Sequence, residues 1–245
     1  PRISMTYRFL PSVAFQAAWG IYQQEMLTVS DESEIISIFD PWIITPDYLN
    51  PARSIHYVAG FNFDITRGVQ FSVEGYYKII HYIPIVNDQK FTTSDPDLLS
   101  GTGESYGSEF SLNYSLDPLN VTTSYALSWA YKEVDDWLYY PKYDARHAAN
   151  IILELNIGSG CIASSIWNFP SGYPFTEMIG FYDKYFLTNI YSSGQGSGEY
   201  NPYAYLGDKN IGRLPAYHRL DLSLLKRLNL YSVNIELGVS AINVY

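Results

Sequence analysis

The sequence predicts an all-β fold, an antiparallel up-and-down transmembrane β-barrel of which about ten strands are present, and three observations carry that prediction. Long runs alternate apolar and polar residues with period two, the pattern of strands with one apolar and one polar face. These runs come in pairs joined by turns of a few residues, while the pairs are separated by loops of about 12 to 48 residues, an asymmetry that puts all tight turns at one end of the sheet. The composition is poor in charge and rich in rings: 16% of the 245 residues are charged and 17% aromatic, with 24 tyrosines, against about 25% charged in soluble domains. No run of 18 or more apolar residues is present to form a transmembrane helix, so any crossing must be made by strands.

The first pair reads ISMTYRF, a turn at Leu10-Pro11-Ser12, then VAFQAAWGIYQQ with Val13, Phe15, Ala17, Trp19 and Ile21 on one face. A segment from Glu25 to Arg53 follows, broken by Pro41, Pro46 and Pro51. The second pair, Ser54 to Ile83, is the clearest. Its apolar positions are Ile55, Tyr57, Phe61, Phe63, Phe71 and Val73; its polar ones are His56, Asn62, Asp64, Gln70 and Glu74, and Arg67-Gly68 makes the turn. Each arm has about 12 residues, twice the common strand length and enough for the about 9 to 11 that a tilted strand needs to cross a bilayer. Pro84 to Ser105 reads as irregular. Tyr106 to Leu116 and Val121 to Val134 form a third pair around Asp117-Pro118-Leu119-Asn120, and Asp135 to Arg146 again reads as irregular. Ala148 to Ile157 and Cys161 to Phe169 form a fourth around Gly158-Ser159-Gly160. Pro170 to Tyr217 is the longest loop. His218 to Leu225 turns near Lys226 to Asn229, and YSVNIELGVSAINVY closes the fifth pair.

A soluble β-sandwich also alternates, but its strands are short and its turns recur every 8 to 12 residues. Here rings also gather near strand ends, as with Trp19 and Tyr22, Tyr77 and Tyr82, and Trp129 and Tyr131, the arrangement of an interfacial girdle. The formal charge of -10 argues against nucleic acid, whose phosphates need basic patches. The single Cys161 excludes an internal disulfide framework. Both ends fall in strand-like sequence, so residues 1–245 are expected to be a piece of a longer chain.

The segment Gly212-Arg213-Leu214-Pro215-Ala216-Tyr217-His218-Arg219-Leu220-Asp221-Leu222-Ser223 resembles the penultimate-strand motif of TonB-dependent outer-membrane receptors, and Val239-Ser240-Ala241-Ile242-Asn243-Val244-Tyr245 resembles their last strand. Tyr143-Asp144-Ala145-Arg146-His147 and Gly103-Glu104-Ser105-Tyr106-Gly107-Ser108-Glu109-Phe110 are similar to further strand openings of that family. The resemblance implies that residues 1–245 are the C-terminal portion of a 22-strand barrel in the bacterial outer membrane, without the plug domain and the earlier strands. It implies uptake of a scarce nutrient of siderophore, cobalamin, haem or oligosaccharide type. The implied partners are that ligand, outer-membrane lipid and lipopolysaccharide, the protein's own plug, and the TonB energy-coupling complex reached through the missing N-terminal part. A self-contained porin-like or protease-type barrel and a soluble carbohydrate-binding β-sandwich remain as alternatives.

No catalytic residues, cofactor or metal site are expected. The four histidines, His56, His81, His147 and His218, lie on different pairs without metal-ligand spacing. Asp144 with His147, or His218 with Asp221, are the pairs a barrel-rim protease would have to use. The loop from Glu25 to Ala52 carries Glu25, Asp31, Glu32, Glu34, Asp40 and Asp47 without Lys or Arg, which would attract cations. Ring-rich loop segments supply the candidate ligand-binding residues: Trp42, Tyr48, Trp137, Tyr139, Tyr140, Tyr200, Tyr203 and Tyr205. Flat faces stack on ligand rings, and tyrosine adds a hydrogen-bonding tip.

Overall fold

A computed structural model describes residues 1–29, 40–90, 92–182, 203–231 and 233–245. Ten long strands form one antiparallel meander. In chain order they are β1 (Arg2–Leu10) and β2 (Val13–Gln24), then, after the short β3 (Met26–Thr28) and β4 (Trp42–Ile44), β5 (Ala52–Thr66), β6 (Val69–Val86), β7 (Leu98–Leu116) and β8 (Leu119–Val134). The three-residue β9 (Trp137–Tyr139) folds back on β8, and β10 (His147–Gly158) and β11 (Cys161–Pro170) follow. The long loop holds β12 (Pro174–Phe175), β13 (Met178–Tyr182), β14 (Tyr203–Leu206) and β15 (Gly212–Arg213), before β16 (Arg219–Leu230) and β17 (Val233–Ala241). The sheet order is β1-β2-β5-β6-β7-β8-β10-β11-β16-β17, with β1 and β17 as open edges. The ten strands read from the alternation are therefore present, and four of the five tight turns lie where they were read.

Boundaries differ from the pattern: β6 runs three residues past Ile83, to Val86, and two differences are larger. β7 begins at Leu98, eight residues before Tyr106, because Ser100 to Gly103 pair with Ile80 to Pro84 although glycine and hydroxyl residues show no apolar period. β16 continues through Lys226 to Asn229, the proposed turn, where Arg227 ion-pairs with Glu236 of β17 at 2.8 Å; the chain reverses only after Leu230.

Pairing places the two faces as the alternation requires. Phe15, Phe61, Val73, Phe110 and Tyr125 share one row across four pairings, and Trp19, Tyr57, Tyr77, Tyr106 and Trp129 share another on the same face. The opposite face carries the row Asn62, Ser72, Ser111, Ser124, Asn150 and Asn168. The accessible surface is 17188 Å², whereas a compact monomer of this mass exposes about 11,000 Å². A single layer with both faces uncovered accounts for the excess.

The tight turns are stepped. Val69 opens β6, its row-mate Val121 lies two residues past the start of β8, and Leu153 of the same row lies five residues before the end of β10. Such a stagger is the shear of tilted strands. Gly68, at φ 82°, turns the second hairpin where Ser115 N–H donates to its carbonyl at 2.7 Å, and an added Cβ there would strike the Ser115 carbonyl. At the far end the tail after β17 hooks onto β16: Val244 N–H bonds Leu220 O, and Asn243 N–H bonds the Asp221 carboxylate, each at 2.9 Å.

Candidate functional site

The buried groups lie almost entirely at the loop end. Asp135 and Asp136, at φ 50° and 64°, make the tight turn that folds β9 onto β8. Pairing of Val134 with Trp137 and of Lys132 with Tyr139 then sets Trp137 and Tyr139 on one side. The long loop returns across this hairpin. Asn210, fully buried, donates its backbone N–H to Thr176 Oγ1 at 3.1 Å and its Nδ2–H to Tyr140 O at 2.7 Å. Lys209 places Nζ 5.0 Å from the Tyr139 ring centre and 2.5 Å from Asp88 Oδ2. Thus segments more than 120 residues apart in sequence close one corner of the mouth.

Beside it, Asp144 is 2% exposed. Its carboxylate accepts from Ala130 N–H at 3.0 Å, from Arg146 at 3.4 Å and, closely, from Arg213, which also donates to the Asp144 and Gly172 carbonyls. Both guanidinium groups lie over Tyr140, at 5.6 and 5.1 Å, and Arg146 also lies 5.0 Å from the Trp129 ring. Asp144, its two arginines and the Tyr140 ring therefore tie β8, the approach to β10 and both halves of the long loop together.

Between the hairpin and the loop is a cavity of about 440 Å³, lined by Val86, Leu99, Val134, Trp137, Tyr139 and Leu206, with Asp88 and Lys209 among its polar groups. Apolar walls with a few polar groups are the usual make-up of a ligand pocket. Of the candidate rings, Trp137 and Tyr139 line it. Tyr139 is 5% exposed, so it forms floor rather than an open stacking surface, whereas Trp137 is 59% exposed. Tyr205 is exposed on β14 next to the lining Leu206. Tyr203 pairs with Tyr182 through the backbone. Tyr140 points elsewhere, into the Arg146, Arg213 and Tyr131 cluster. Trp42 and Tyr48 are exposed on the separate segment that carries β4. Tyr200 lies outside the described residues, as do Asp31, Glu32 and Glu34 of the acidic loop.

The protease pairs are not assembled. His147 Nδ1 meets Tyr125 OH at 2.8 Å while Asp144 is engaged with arginines. Asp221 is held by Arg219 at 2.6 Å, and the His218 ring packs on Tyr245 at 4.9 Å. Among the described residues, no three His, Cys, Asp or Glu side chains come together to hold a metal.

Sequence reasoning missed Asp88, Lys209, Asn210 and the joining role of Asp144 and Arg213. Only the last two stood in segments already singled out, Tyr143 to His147 and Gly212 to Ser223. On the polar face, Glu74 and Glu109 sit directly opposite one another, flanked in the row by Gly60 and Ala126, and neither has an ion-pair partner among the described residues.

No protein-family model and no curated protein matches the chain in sequence. Solved structures do match its fold. The chain is similar to the ferric-catecholate import receptor Fiu of E. coli K12, with TM-score 0.61 and 11% identity over 99% of this chain and 30% of that one. It is similar to FpvA of P. aeruginosa, with TM-score 0.65 and 10% identity over 100% and 28%. It is similar to BauA, the ferric preacinetobactin receptor of Acinetobacter baumannii, with TM-score 0.64 and 11% identity over 100% and 31%. These are TonB-dependent outer-membrane receptors, and the chain spans about 30% of their length. At such identities the likeness is one of fold.

Proposed function

We propose that this chain, which has the fold of part of a TonB-dependent receptor barrel, is the C-terminal portion of such a barrel in the bacterial outer membrane. Its loops take part in capturing a scarce nutrient, its polar face surrounds a plug domain, and an energy-coupling complex on the tight-turn side drives release. The wall itself does no bond chemistry. The observation that carries the reading is the two-faced wall, ring-rich on one side and polar on the other, with Glu74 opposite Glu109. Like charges directly opposite destabilise a sheet, so this pair calls for a cationic group from whatever fills the lumen, and a plug side chain would supply it. The cavity of Trp137 and Tyr139 supports capture of a ligand with flat or apolar parts, of siderophore, cobalamin, haem or oligosaccharide type, at the mouth.

Liposome swelling tests this. The full-length protein, plug included, reconstituted in vesicles should be closed to small sugars, and the double variant Glu74→Gln, Glu109→Gln should leak by loosening the plug. An unmodified protein that conducts sugars freely would point to an open porin. A protein that stays monodisperse in plain buffer would remove the membrane from the account.

A further inference from the structure

Charge on the polar face is sorted by level. One residue above the outer ring row of Trp19, Tyr57, Tyr77, Tyr106 and Trp129, the polar face carries the row Arg2, Gly20, His56, Lys78, Ser105 and Ala130. Lys132 stands two residues higher on the same face. Carboxylates of this face begin four residues below the row, at Glu74 and Glu109, and continue downward with Asp64 and Glu154. Of the cations at those lower levels, Arg219 and Arg227 are bound to Asp221 and Glu236, and Arg8 bonds the Pro11 carbonyl.

Rings, not carboxylates, hold Arg2 and Lys78. The Arg2 guanidinium lies 4.4 Å from the Tyr22 ring centre, and Lys78 Nζ lies 4.6 Å from that of Tyr76. Glycines seat both rings. A Cβ on Gly20 would meet Tyr22 Cε2 at 2.9 Å, and one on Gly107 would meet the Tyr76 hydroxyl at 3.0 Å, so each tyrosine folds down on the wall beside its cation. Tyr22 also packs 4.4 Å from the His56 ring, whose Nε2 meets Ser54 Oγ at 2.9 Å. Neither Arg2 nor Lys78 forms an ion pair among the described residues.

The nearest carboxylates do not cancel this charge. Glu74 and Glu109 are about 13 Å down the strands, beyond the about 8 Å over which exposed charges act in physiological salt. Glu104 and Glu133 alternate onto the opposite face. Asp144, which accepts from Ala130 N–H at the end of the row, is shared by Arg146 and Arg213. Glu25 and Asp135 follow Gly20 and Ala130 by five residues toward the loops.

We propose that Arg2 and Lys78, with His56 between them, bind anionic oxygens of the captured ligand just inside the mouth, and that the ligand is a polyanion and not a neutral sugar. The inference rests on the receptor reading above and narrows its substrate class. Two cations laid on rings keep their donors for carboxylate, phosphate or catecholate oxygens, to which hydrogen bonds are charge-assisted and strong.

Two iron(III) chelates of similar size test it, titrated into the full-length protein in detergent and followed by tryptophan fluorescence. Ferric enterobactin is a tris-catecholate with three negative charges; ferrichrome is a neutral tris-hydroxamate. The trianion should bind at least about tenfold more tightly, a difference of about 1.4 kcal/mol. The double variant Arg2→Gln, Lys78→Gln should abolish that preference. Arg8→Gln, which removes a cation six residues lower on the same face, should keep it. Equal affinity for the two chelates, binding of neither, or a preference that survives the double variant overturns the proposal while leaving the barrel reading intact. So does a double variant that makes vesicles leak small sugars, because the two cations would then hold the plug. Heat-modifiable migration on gels confirms that each variant is a folded barrel. Failure of the unmodified protein to fold in detergent would count against the barrel reading instead.

Discussion

The strands from β1 to β8 and those from β10 to β17 share the same alternation but cover their apolar face differently. On the first set the apolar face is ring on ring: Phe15 packs 5.2 Å from Phe61, Phe63 5.9 Å from Phe71, and Tyr106 5.4 Å from Trp129. On the second it is Ile151, Leu153, Leu155, Leu222, Leu224, Leu237 and Val239, with Trp167 and Phe169 as a lone stacked pair at 5.7 Å. Lipid asks only for an apolar surface, which both supply. Rings add directional contacts between strands, whereas both halves leave open grooves beside small neighbours, about 770 Å³ along Ala17, Ala59 and Gly75 and about 480 Å³ along Ala163 and Ser165.

The largest effect should ignore that difference. Phe61→Arg and Leu224→Arg each put a cation on the lipid face and should each cost about 2 to 4 kcal/mol in folding into vesicles, read by denaturant titration. Asn62→Arg, on the polar face, should cost far less, and an equal loss would reverse the assignment of faces. Next comes the mouth, where Asp144→Ala leaves two arginines without their shared carboxylate. A local loss of about 2 kcal/mol is expected, seen as faster amide exchange from Tyr139 to Arg146, with the wall strands unaffected. The halves should separate at the third step. Tyr106→Leu removes three ring contacts, with Tyr77, Trp129 and Tyr131, and should cost about 1 kcal/mol beyond its area, whereas Leu222→Ile should stay below about 0.5 kcal/mol. Similar values would mean that the stacked rings add nothing to the wall. Outside the wall, Lys209→Ala should cost about 0.5 kcal/mol, vanishing in high salt, by the same exchange measurement at Thr176.

Most of the wall was legible because its periodicity is long and strict, as from Ile55 to Ile65 and from Val69 to Ile79. Legibility failed where the side chains stop reporting the face. Ser100 to Gly103 extend β7 with residues too small to alternate, and β9, at three residues, is too short to show a period. The mouth was read in part. Trp137 and Tyr139 were visible as rings, but Lys209, Asn210 and Asp88 gain their roles only when the long loop crosses the sheet, a contact no local pattern encodes. Nor does alternation report register, so Glu74 and Glu109 became a pair only through the pairing of β6 with β7.

The stepped turns set a rule for rearranging this wall. Were the hairpin of β7 and β8 deleted, β6 would have to pair with β10. Levelling their ends means sliding them by about the five residues that separate the row of Val69 from the end of β10. Five is odd and the side chains repeat every two, so levelled ends would turn the apolar face of one strand toward the polar face of the next. A shortened wall can keep its ends level or its faces matched, and in the membrane setting proposed above only the second would stand. Hairpins are thus removable only with a one-residue offset, which would appear as a bulge at the new seam.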